Sequence, residues 1–344
     1  MPAQAARVRA TLAALLGGLL ATIAPAAEEK GKVTMETIEY KGWKHNLRIA
    51  NGDAELIVTL DVGPRIISYR LADGKNVFKE YDDQLGKAGE DEWQIRGGHR
   101  LWTAPEDLTR TYAPDNTPGS AETLDNGAVL VKGAPDSQHG IQKAIEVRLG
   151  PTGSRVKLTH RITNIGRQAA DLAPWALSVM RPGGLEIIPM PPRKPHPGSP
   201  KNAKSPADFA ADRLFVLWPY TDFTDERWRF GSRYVTLRQD ARKGPTKIGT
   251  NNREGWVGYL NEGTLFVKRF GFRDDVTYPD GGCNYETFTN EDMLELETLG
   301  PLVRLTPGAS VEHLEEWELI GGLGSIQDEN DIATTIAPRV RWQP

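Results

Sequence analysis

The chain has 344 residues, of which 39% are hydrophobic and 26% charged, and its formal net charge is −4 at pH 7. This acidic balance disfavours a nucleic-acid partner, which requires a basic surface to meet the phosphates. The single cysteine, Cys283, excludes an intramolecular disulfide, so burial of apolar surface must stabilise the fold.

The first 27 residues have the layout of a secretory signal peptide. Arg7 and Arg9 precede an apolar stretch at 10–23, and small residues follow at 24–27. The apolar stretch is shorter than the roughly 20 residues that span a bilayer, which disfavours a retained anchor. We expect cleavage after residue 26 or 27, export to the periplasm or the extracellular space, and no membrane contact afterwards. Loss of the two arginines changes the net charge from −4 to −6.

Residues 28–344 contain many short segments in which apolar and polar residues alternate between turn residues. This period-two pattern indicates antiparallel strands, and helical periodicity is confined to a short segment at 206–214 with Ser205 as its cap. We therefore predict one all-β domain, built as a large antiparallel β-sandwich. The predicted strands are 55–60, 65–71, 128–132, 143–149, 155–162, 234–238, 256–260, 265–270 and 294–299.

One segment, 189–206, departs from this pattern because it carries seven prolines. Proline cannot donate to a sheet ladder, so the segment is predicted to be a long surface loop. The strand patterns before and after it are alike. We therefore expect a loop within a single domain and not a linker between two domains.

Two glutamates near the C-terminus fall on one face of the strand predicted at 294–299. Alternation puts Glu295 and Glu297 on one side and Leu294 and Leu296 on the other. If the glutamates line a cleft, repulsion and burial would raise the pKa of one of them and prepare a general base. If they lie on a solvated outer face, they are ordinary surface residues. The pattern leaves both interpretations open.

A second group of polar and aromatic residues lies at 94–106, with His99, Arg100 and Trp102 close to a glycine pair. Glycine allows close approach of the backbone, arginine donates to hydroxyl groups, and an indole stacks on a sugar ring. This mixture suits a ligand rich in hydroxyl groups. A tight turn with a hydrogen-bonded histidine and a core tryptophan is the alternative.

A strand, a turn and a closing strand near the C-terminus carry a resemblance to a known family. Glu297-Thr298 ends a strand and is followed by Gly300-Pro301, by a turn at 306–308 and by a strand at 311–319. This arrangement resembles aldose 1-epimerases of the galactose-mutarotase-like superfamily, in which the glutamate of the pair takes the proton from the anomeric hydroxyl. The resemblance assigns that role to Glu297. It also implies the superfamily's supersandwich, a mono- or oligosaccharide ligand, and a route that needs no metal or organic cofactor; we expect a monomer.

Further site residues follow from the same resemblance. A glycine-rich segment with a histidine occupies a similar position in the mutarotase relatives, so His99 is a candidate for a second catalytic or substrate-orienting group. The segment 61–68 resembles the second strand of the superfamily and places Arg65 either at the cleft or in a surface ion pair. The other candidates for substrate binding, of which the last three have structural contacts as their alternative, are Arg100, Trp102, Trp175, Glu295, Lys268, Asn284 and Glu286.

The chain departs from aldose 1-epimerases on a central strand. The family places a second histidine there as the acid for the ring oxygen, but the corresponding segment 172–180 contains Trp175 and no histidine. His160 lies nearby in sequence, and its strand parity predicts a core position. Three functions therefore stay open: an aldose 1-epimerase-like isomerase, a non-catalytic carbohydrate-binding protein, and a polysaccharide lyase or hydrolase that uses Glu286, Glu295 and Glu297.

Overall fold

The structure is a computed structural model that describes residues 31–340, so the signal peptide expected at 1–27 lies outside the described residues. Nearly all regular structure in this range is strand, and no helix in it has the length and apolar character needed to cross a membrane. In chain order the strands are β1 (Thr34–Tyr40), β2 (Trp43–Ala50), β3 (Ala54–Thr59), β4 (Arg65–Leu71), β5 (Gly98–Ala104), β6 (Ser120–Thr123), β7 (Val129–Lys132), β8 (Ile141–Leu149), β9 (Val156–Asn164), β10 (Ala170–Met180), β11 (Leu185–Pro189), β12 (Phe215–Leu217), β13 (Trp228–Phe230), β14 (Tyr234–Arg238), β15 (Thr246–Thr250), β16 (Trp256–Asn261), β17 (Thr264–Phe270), β18 (Tyr285–Thr289), β19 (Leu294–Leu299), β20 (Val303–Leu305) and β21 (Ser310–Ile320).

These strands form two large antiparallel sheets. The first sheet has the order β1-β2-β3-β4-β5-β10-β19-β18-β15-β12, with β20 beside β10. The second has the order β13-β14-β11-β16-β17-β21-β9-β8-β7-β6. The predicted all-β antiparallel sandwich is confirmed.

The core lies between the two sheets, where alternate side chains of both meet. An aromatic cluster at its centre joins Tyr69 and Phe78 to Phe266 and Trp317, with ring centroids between 5.4 and 6.2 Å apart. All four rings are fully buried. Each buried aromatic ring removes roughly 150–250 Å² from water, so the cluster gives the sheets a rigid common centre.

Helix is a minor component. A 3-10 helix spans Pro206–Phe209, and a short C-terminal helical segment comprises Glu329–Asp331, a π-helical turn at Ile332–Ile336 and Ala337–Val340. The first of these is shorter than the helix predicted at 206–214. The chain turns extended after Phe209, because the Arg213 guanidinium donates to the Pro191 carbonyl and the Leu214 amide to the Asn251 side chain. No strand or helix occurs at 190–205, within the proline-rich segment.

Strand register in the first sheet sets the position of the polar residues. Leu177 of β10 pairs with Arg100 of β5 on one side and with Glu297 of β19 on the other. Glu297 in turn pairs with Glu286 of β18. Paired residues share a face of a sheet, so these side chains project together, whereas the neighbouring Leu296 points into the core. We call the face that carries Glu297, directed away from the second sheet, the outer face.

Candidate functional site

The outer face of the first sheet contains a cavity of about 200 Å³, which we call the outer cleft. Its floor comes from strands β5, β10, β15, β18 and β19, and its walls come from the loops around them. Alternation in each strand supplies every second side chain to the cleft. The lining residues of the floor are Arg100, Trp102, Trp175, Leu177, Lys247, Phe288, Glu295 and Glu297, and those of the walls are Trp93, Ile95, Glu106, Tyr112, Tyr220 and Met293.

Glu297 is held at one oxygen and free of hydrogen bonds at the other. Its Oε2 lies 2.9 Å from the Lys247 ammonium and accepts a 3.0 Å hydrogen bond from the Trp175 indole. Its Oε1 is buried and has no hydrogen-bond partner in the protein. Burial raises the pKa of Glu297 above its ordinary value, and Lys247 opposes that shift. The free oxygen therefore belongs to a carboxylate that binds a proton more readily than one in water.

Lys247 is shared by two carboxylates. Its Nζ lies 2.8 Å from Glu286 Oε2 as well as 2.9 Å from Glu297, and its ammonium stands over the Trp175 and Trp218 rings. Burial raises the pKa of Glu286 to about 8, with Lys247 opposing and Glu297 adding to the shift. Burial of both carboxylates and the charge of each on the other therefore favour the protonated form of the pair, against the attraction of Lys247.

Arg100 lies in the middle of the cleft floor between aromatic rings. Its Nη2 forms a 2.8 Å ion pair with Glu295. Its guanidinium carbon is 4.2 Å from the centre of the Trp102 ring and 5.3 Å from that of Trp93. The Nε and Nη1 atoms are buried without a hydrogen-bond partner, as is the Nε1 atom of Trp93. These are strong donors with no acceptor in the protein.

Aromatic side chains form the walls and rim. Trp93, Trp102 and Tyr112 pack in contact, with ring centroids 5.0 to 5.5 Å apart, and the Tyr112 hydroxyl donates to Glu106. On the opposite side Tyr220 is 45% exposed and contacts the Phe288 ring at 6.5 Å. The cleft therefore combines a buried charged floor with aromatic walls that reach solvent.

The structure brings together six of the residues singled out in the sequence. Five of them line the cleft, and the sixth, Glu286, contacts Lys247 from the same face. The shared cause is strand parity, because residues two apart in one strand and paired across neighbouring strands lie on one face. The five are Arg100, Trp102, Trp175, Glu295 and Glu297.

His99 lies on the other face of the sheet, which corrects the position expected for it. Alternation in β5 directs His99 into the core and its neighbour Arg100 to the outer face. The His99 ring is fully buried, with Nδ1 2.9 Å from Ser178 Oγ and Nε2 2.7 Å from His160 Nε2. Burial, reinforced by the charge of Lys268, holds the pKa of His99 well below its ordinary value. A neutral imidazole inside the sandwich cannot protonate a ligand on the outer face.

Three further candidates also lie outside the cleft. Arg65 is fully buried and donates to the carbonyls of Ile95 and Gly97, which cover it. Lys268 belongs to the second sheet and is buried in the core, where it pairs with Glu315. Asn284 is buried as well and bonds through its side chain to the backbone of residue 252. Lys268 and Asn284 thus form the structural contacts that were the alternative for them. Arg65 is neither at the cleft nor on the surface, because its buried guanidinium pairs with Asp115 at 3.2 Å.

Several cleft residues were not identified from the sequence. Lys247 lies in β15, a five-residue strand with a glycine at its fourth position, and its alternation is too short to recognise. Trp93, Tyr112 and Tyr220 belong to irregular segments, where periodicity gives no direction for a side chain. The position of His99 could have been predicted, because alternation in β5 puts it on the opposite face of the strand from Arg100 and Trp102.

No family model matches the chain, and no curated protein matches it. Solved structures do match in fold. A TPR-domain containing protein from Parabacteroides distasonis superposes with a TM-score of 0.53 at 16% identity over 87% of this chain and 50% of that one. A candidate aldose 1-epimerase from Klebsiella pneumoniae gives 0.52 at 11% identity, over 84% of this chain and 83% of that one. A galactose mutarotase-like protein from Lactobacillus casei gives 0.50 at 11% identity, over 80% of this chain and 100% of that one.

These likenesses confirm the galactose-mutarotase-like fold expected from the sequence. The chain spans half the length of the TPR-domain protein and most or all of the other two. At identities of 11 to 16% the likeness shows the fold alone, and a fold hosts many functions. The function must therefore be argued from the outer cleft.

Proposed function

We propose that this chain is an exported carbohydrate-active protein that binds a mono- or oligosaccharide in the outer cleft. The observation that carries the proposal is a set of four buried polar atoms without a protein partner: Arg100 Nε and Nη1, Trp93 Nε1 and Glu297 Oε1. Buried polar groups nearly always have hydrogen-bond partners. Three donors and an acceptor beside tilted and edge-to-face indole rings match a ligand whose hydroxyl groups both donate and accept and whose ring has an apolar face.

Other cavities among the described residues lack this combination. Four others, of about 210 to 500 Å³, have at most one unpartnered buried polar atom each in their linings. Size alone would favour them over the outer cleft. We choose the cleft because the need for hydrogen-bond partners, and not volume, is what a bound sugar would satisfy.

The test is a glycan array followed by calorimetric titration with the saccharides it identifies. Trp102 and Trp256 are buried to a similar degree, at 6% and 7% exposure, but Trp256 belongs to the second sheet. We expect Trp102→Leu to weaken saccharide binding by about tenfold or more and Trp256→Leu to leave it unchanged in the folded protein. Absence of binding to any saccharide by the wild type would refute the proposal.

Catalysis of the aldose 1-epimerase type is the finer proposal, with Glu297 as general base. Its Oε1 would take the proton of the anomeric hydroxyl. The bond between the anomeric carbon and the ring oxygen then breaks as that oxygen takes up a proton, and the open chain recloses on the other face. No histidine among the described residues lines the cleft, so the proton falls to Lys247 or to water. Support for this route comes from the free Oε1 of Glu297 and its raised pKa.

Anomer exchange measured by NMR tests this route. We expect Glu297→Gln to reduce exchange to the uncatalysed rate, whereas Glu186→Gln, a matched change of a buried glutamate on the second sheet, leaves the rate unchanged. Saccharide binding without exchange by the wild type would instead identify a non-catalytic binding protein, which the missing histidine favours. A lyase or hydrolase that holds a divalent cation is disfavoured, because Lys247 and Arg100 already lie against the three carboxylates.

Export is part of the same proposal and rests on the signal-peptide layout of residues 1–27. Expression of the full chain with a C-terminal tag, followed by cell fractionation and mass determination, tests it. We expect the tagged protein outside the cytoplasm with residues 1–26 or 1–27 removed. An unprocessed cytoplasmic protein would contradict export without affecting the saccharide site.

A further inference from the structure

A buried ionic pair lies between the two sheets directly beneath the outer cleft. Lys268 of β17 and Glu315 of β21, both with no exposed surface, form a 3.0 Å ion pair from Nζ to Oε1. From the sequence, Lys268 was a candidate ligand contact with a structural salt bridge as its alternative, and the structure shows the salt bridge. A charged pair in the core loses more hydration energy than mutual attraction commonly restores. Its presence therefore calls for a role that an apolar pair would not fulfil.

Lys268 connects the two strands that carry the centre of the cleft. Its ammonium donates 3.0 Å hydrogen bonds to the carbonyls of Ala176 in β10 and Leu296 in β19, in addition to its contact with Glu315. All three ammonium donors are thus used. Ala176 follows Trp175 in the chain, and Leu296 precedes Glu297. A single side chain from the second sheet therefore ties together the strands whose outer faces form the Trp175–Glu297 hydrogen bond.

Glu315 contacts the same strand on the other side of Glu297. It accepts hydrogen bonds from the Thr298 hydroxyl and, at 2.7 Å, from the Trp317 indole. The Thr298 hydroxyl also lies 2.7 Å from His313 Nε2. Strand β19 is thus held from the core at the residues immediately before and after Glu297.

We propose that Lys268 and Glu315 are positioning residues that fix the Glu297 carboxylate in the outer cleft by clamping β19 at Leu296 and Thr298. The functional role of the clamp rests on the proposed saccharide site, because the clamp matters to function only if Glu297 meets a ligand. The contacts that define it stand independently of that site. An apolar pair would fill the same volume but would not hold Leu296 and Thr298 from the core, and a small displacement of a site residue is enough to weaken its function.

A metal centre is the competing interpretation of this region. His99, His160 and Glu315 have ligand atoms within 4.8 Å of one another. The two imidazoles, however, are joined directly by the 2.7 Å contact between their Nε2 atoms. The Lys268 ammonium already supplies a positive charge beside Glu315. Both nitrogens of His160 have partners, since its Nδ1 bonds to the His313 carbonyl. We therefore assign the region to the clamp.

The test compares two double variants on the same pair of strands. Lys268→Met/Glu315→Leu removes the clamp at both Leu296 and Thr298 without leaving an unpaired buried charge. Arg269→Met/Glu318→Leu is the control, because that 2.6 Å ion pair joins the same two strands on the face away from the cleft, with Arg269 one residue after Lys268 and Glu318 three residues after Glu315. Three properties are measured: thermal unfolding, saccharide affinity by calorimetry, and the indole N–H resonance of Trp175 in the ¹⁵N-labelled protein, assigned with Trp175→Phe.

We expect the clamp variant to unfold cooperatively, to bind saccharide about tenfold more weakly than the wild type, and to show a displaced Trp175 resonance. The control variant should match the wild type in affinity and resonance. Wild-type affinity and resonance in a folded clamp variant would overturn the proposal. If the wild type binds no saccharide, the proposed function fails, and the Trp175 resonance alone decides whether the clamp exists.

A gentler pair of variants decides the matter if the double variant does not fold. Thr298→Val removes the hydroxyl that Glu315 and His313 contact, and Thr298→Ser restores it. We expect the Trp175 resonance and the affinity to change in the first variant and to return in the second. Equal values for both variants would contradict the clamp.

Discussion

The carboxylate of Glu297 and the ammonium of Lys247 lie 2.9 Å apart across the intervening strand β18. The pair joins β19 to β15 on the outer face, and Glu286 of β18 contacts the same ammonium from the same face. Lys247 is the charge that allows two buried carboxylates to lie side by side. The stability and the chemistry of the cleft therefore depend on this lysine as much as on Glu297.

Removal of Lys247 should destabilise the protein strongly. Lys247→Met leaves Glu286 and Glu297 buried without their cation, which costs about 3–5 kcal/mol of unfolding free energy. The loss should be smaller at pH 5 than at pH 8, because protonation of both carboxylates removes the unpaired charge. Chemical denaturation of the wild type and the variant at both pH values measures the effect. A loss of less than about 1 kcal/mol at pH 8 would show that the pair is not buried as described.

Glu186 should make the protein less stable as pH rises. This glutamate is fully buried in the core, where it accepts hydrogen bonds from Tyr285 and Thr287, and burial raises its pKa to about 8. The folded state therefore holds the proton more tightly than the unfolded state, whose pKa is near 4.5. The stabilisation is complete below pH 4.5 and is lost as pH rises to 8. The side chain of Glu186→Gln cannot ionise. We therefore expect the unfolding free energy of this variant, relative to that of the wild type, to rise by roughly 3–5 kcal/mol between pH 4.5 and 9.

Urea unfolding of both proteins across that pH range provides the measurement. Parallel pH dependence of the wild type and Glu186→Gln would mean that Glu186 titrates at its ordinary pKa in the folded protein. If the variant became more stable than the wild type only below pH 4.5, the pKa of Glu186 would not be raised in the folded protein.

His99 should affect stability and not ligand affinity. His99→Gln weakens the contacts with Ser178 and His160 inside the sandwich, and loss of such buried hydrogen bonds costs about 1–3 kcal/mol. The outer cleft lies on the other side of the sheet, so saccharide affinity of the folded variant should stay within about twofold of the wild type. Thermal unfolding and calorimetry measure the two effects. Loss of saccharide binding with unchanged stability would instead indicate that His99 contacts the ligand, as the sequence suggested.

The pH profile of anomer exchange should reflect the raised pKa of Glu297. The base must be ionised to accept a proton, and burial raises its pKa above 4.5. We therefore expect kcat/KM to fall as pH decreases, with the midpoint of the acidic limb above pH 4.5. Initial rates between pH 4 and 9 test this. A profile that is flat down to pH 4 would exclude Glu297 as the base.

Strand alternation accounts for most of what the sequence predicted correctly. It placed Glu295 and Glu297 on one face, and the same rule applied to β5 would have separated His99 from Arg100. Alternation does not show which face of a strand is directed into the core and which is directed outward. Lys268 has strand parity as clear as that of Glu297, but its strand lies in the second sheet, and only the packing of the sheets shows that its ammonium is directed into the core.

The local sequence pattern could not predict the remaining cleft residues. Tyr112 and Tyr220 come from loops more than 100 residues apart, and tertiary packing brings them to one cavity. The helix predicted at 206–214 ended early for a similar reason, since bonds from Arg213 and Leu214 to distant residues outweighed local propensity.

The position of a bound saccharide in a crystal structure would show whether the outer cleft is the saccharide site. The protein would be crystallised with the tightest-binding saccharide from the array. We predict the sugar ring against Trp102 or Trp175, with hydroxyl groups within hydrogen-bond distance of Glu297 Oε1 and Arg100 Nη1. A saccharide bound in another cavity, with the outer cleft empty at saturating concentration, would contradict the account.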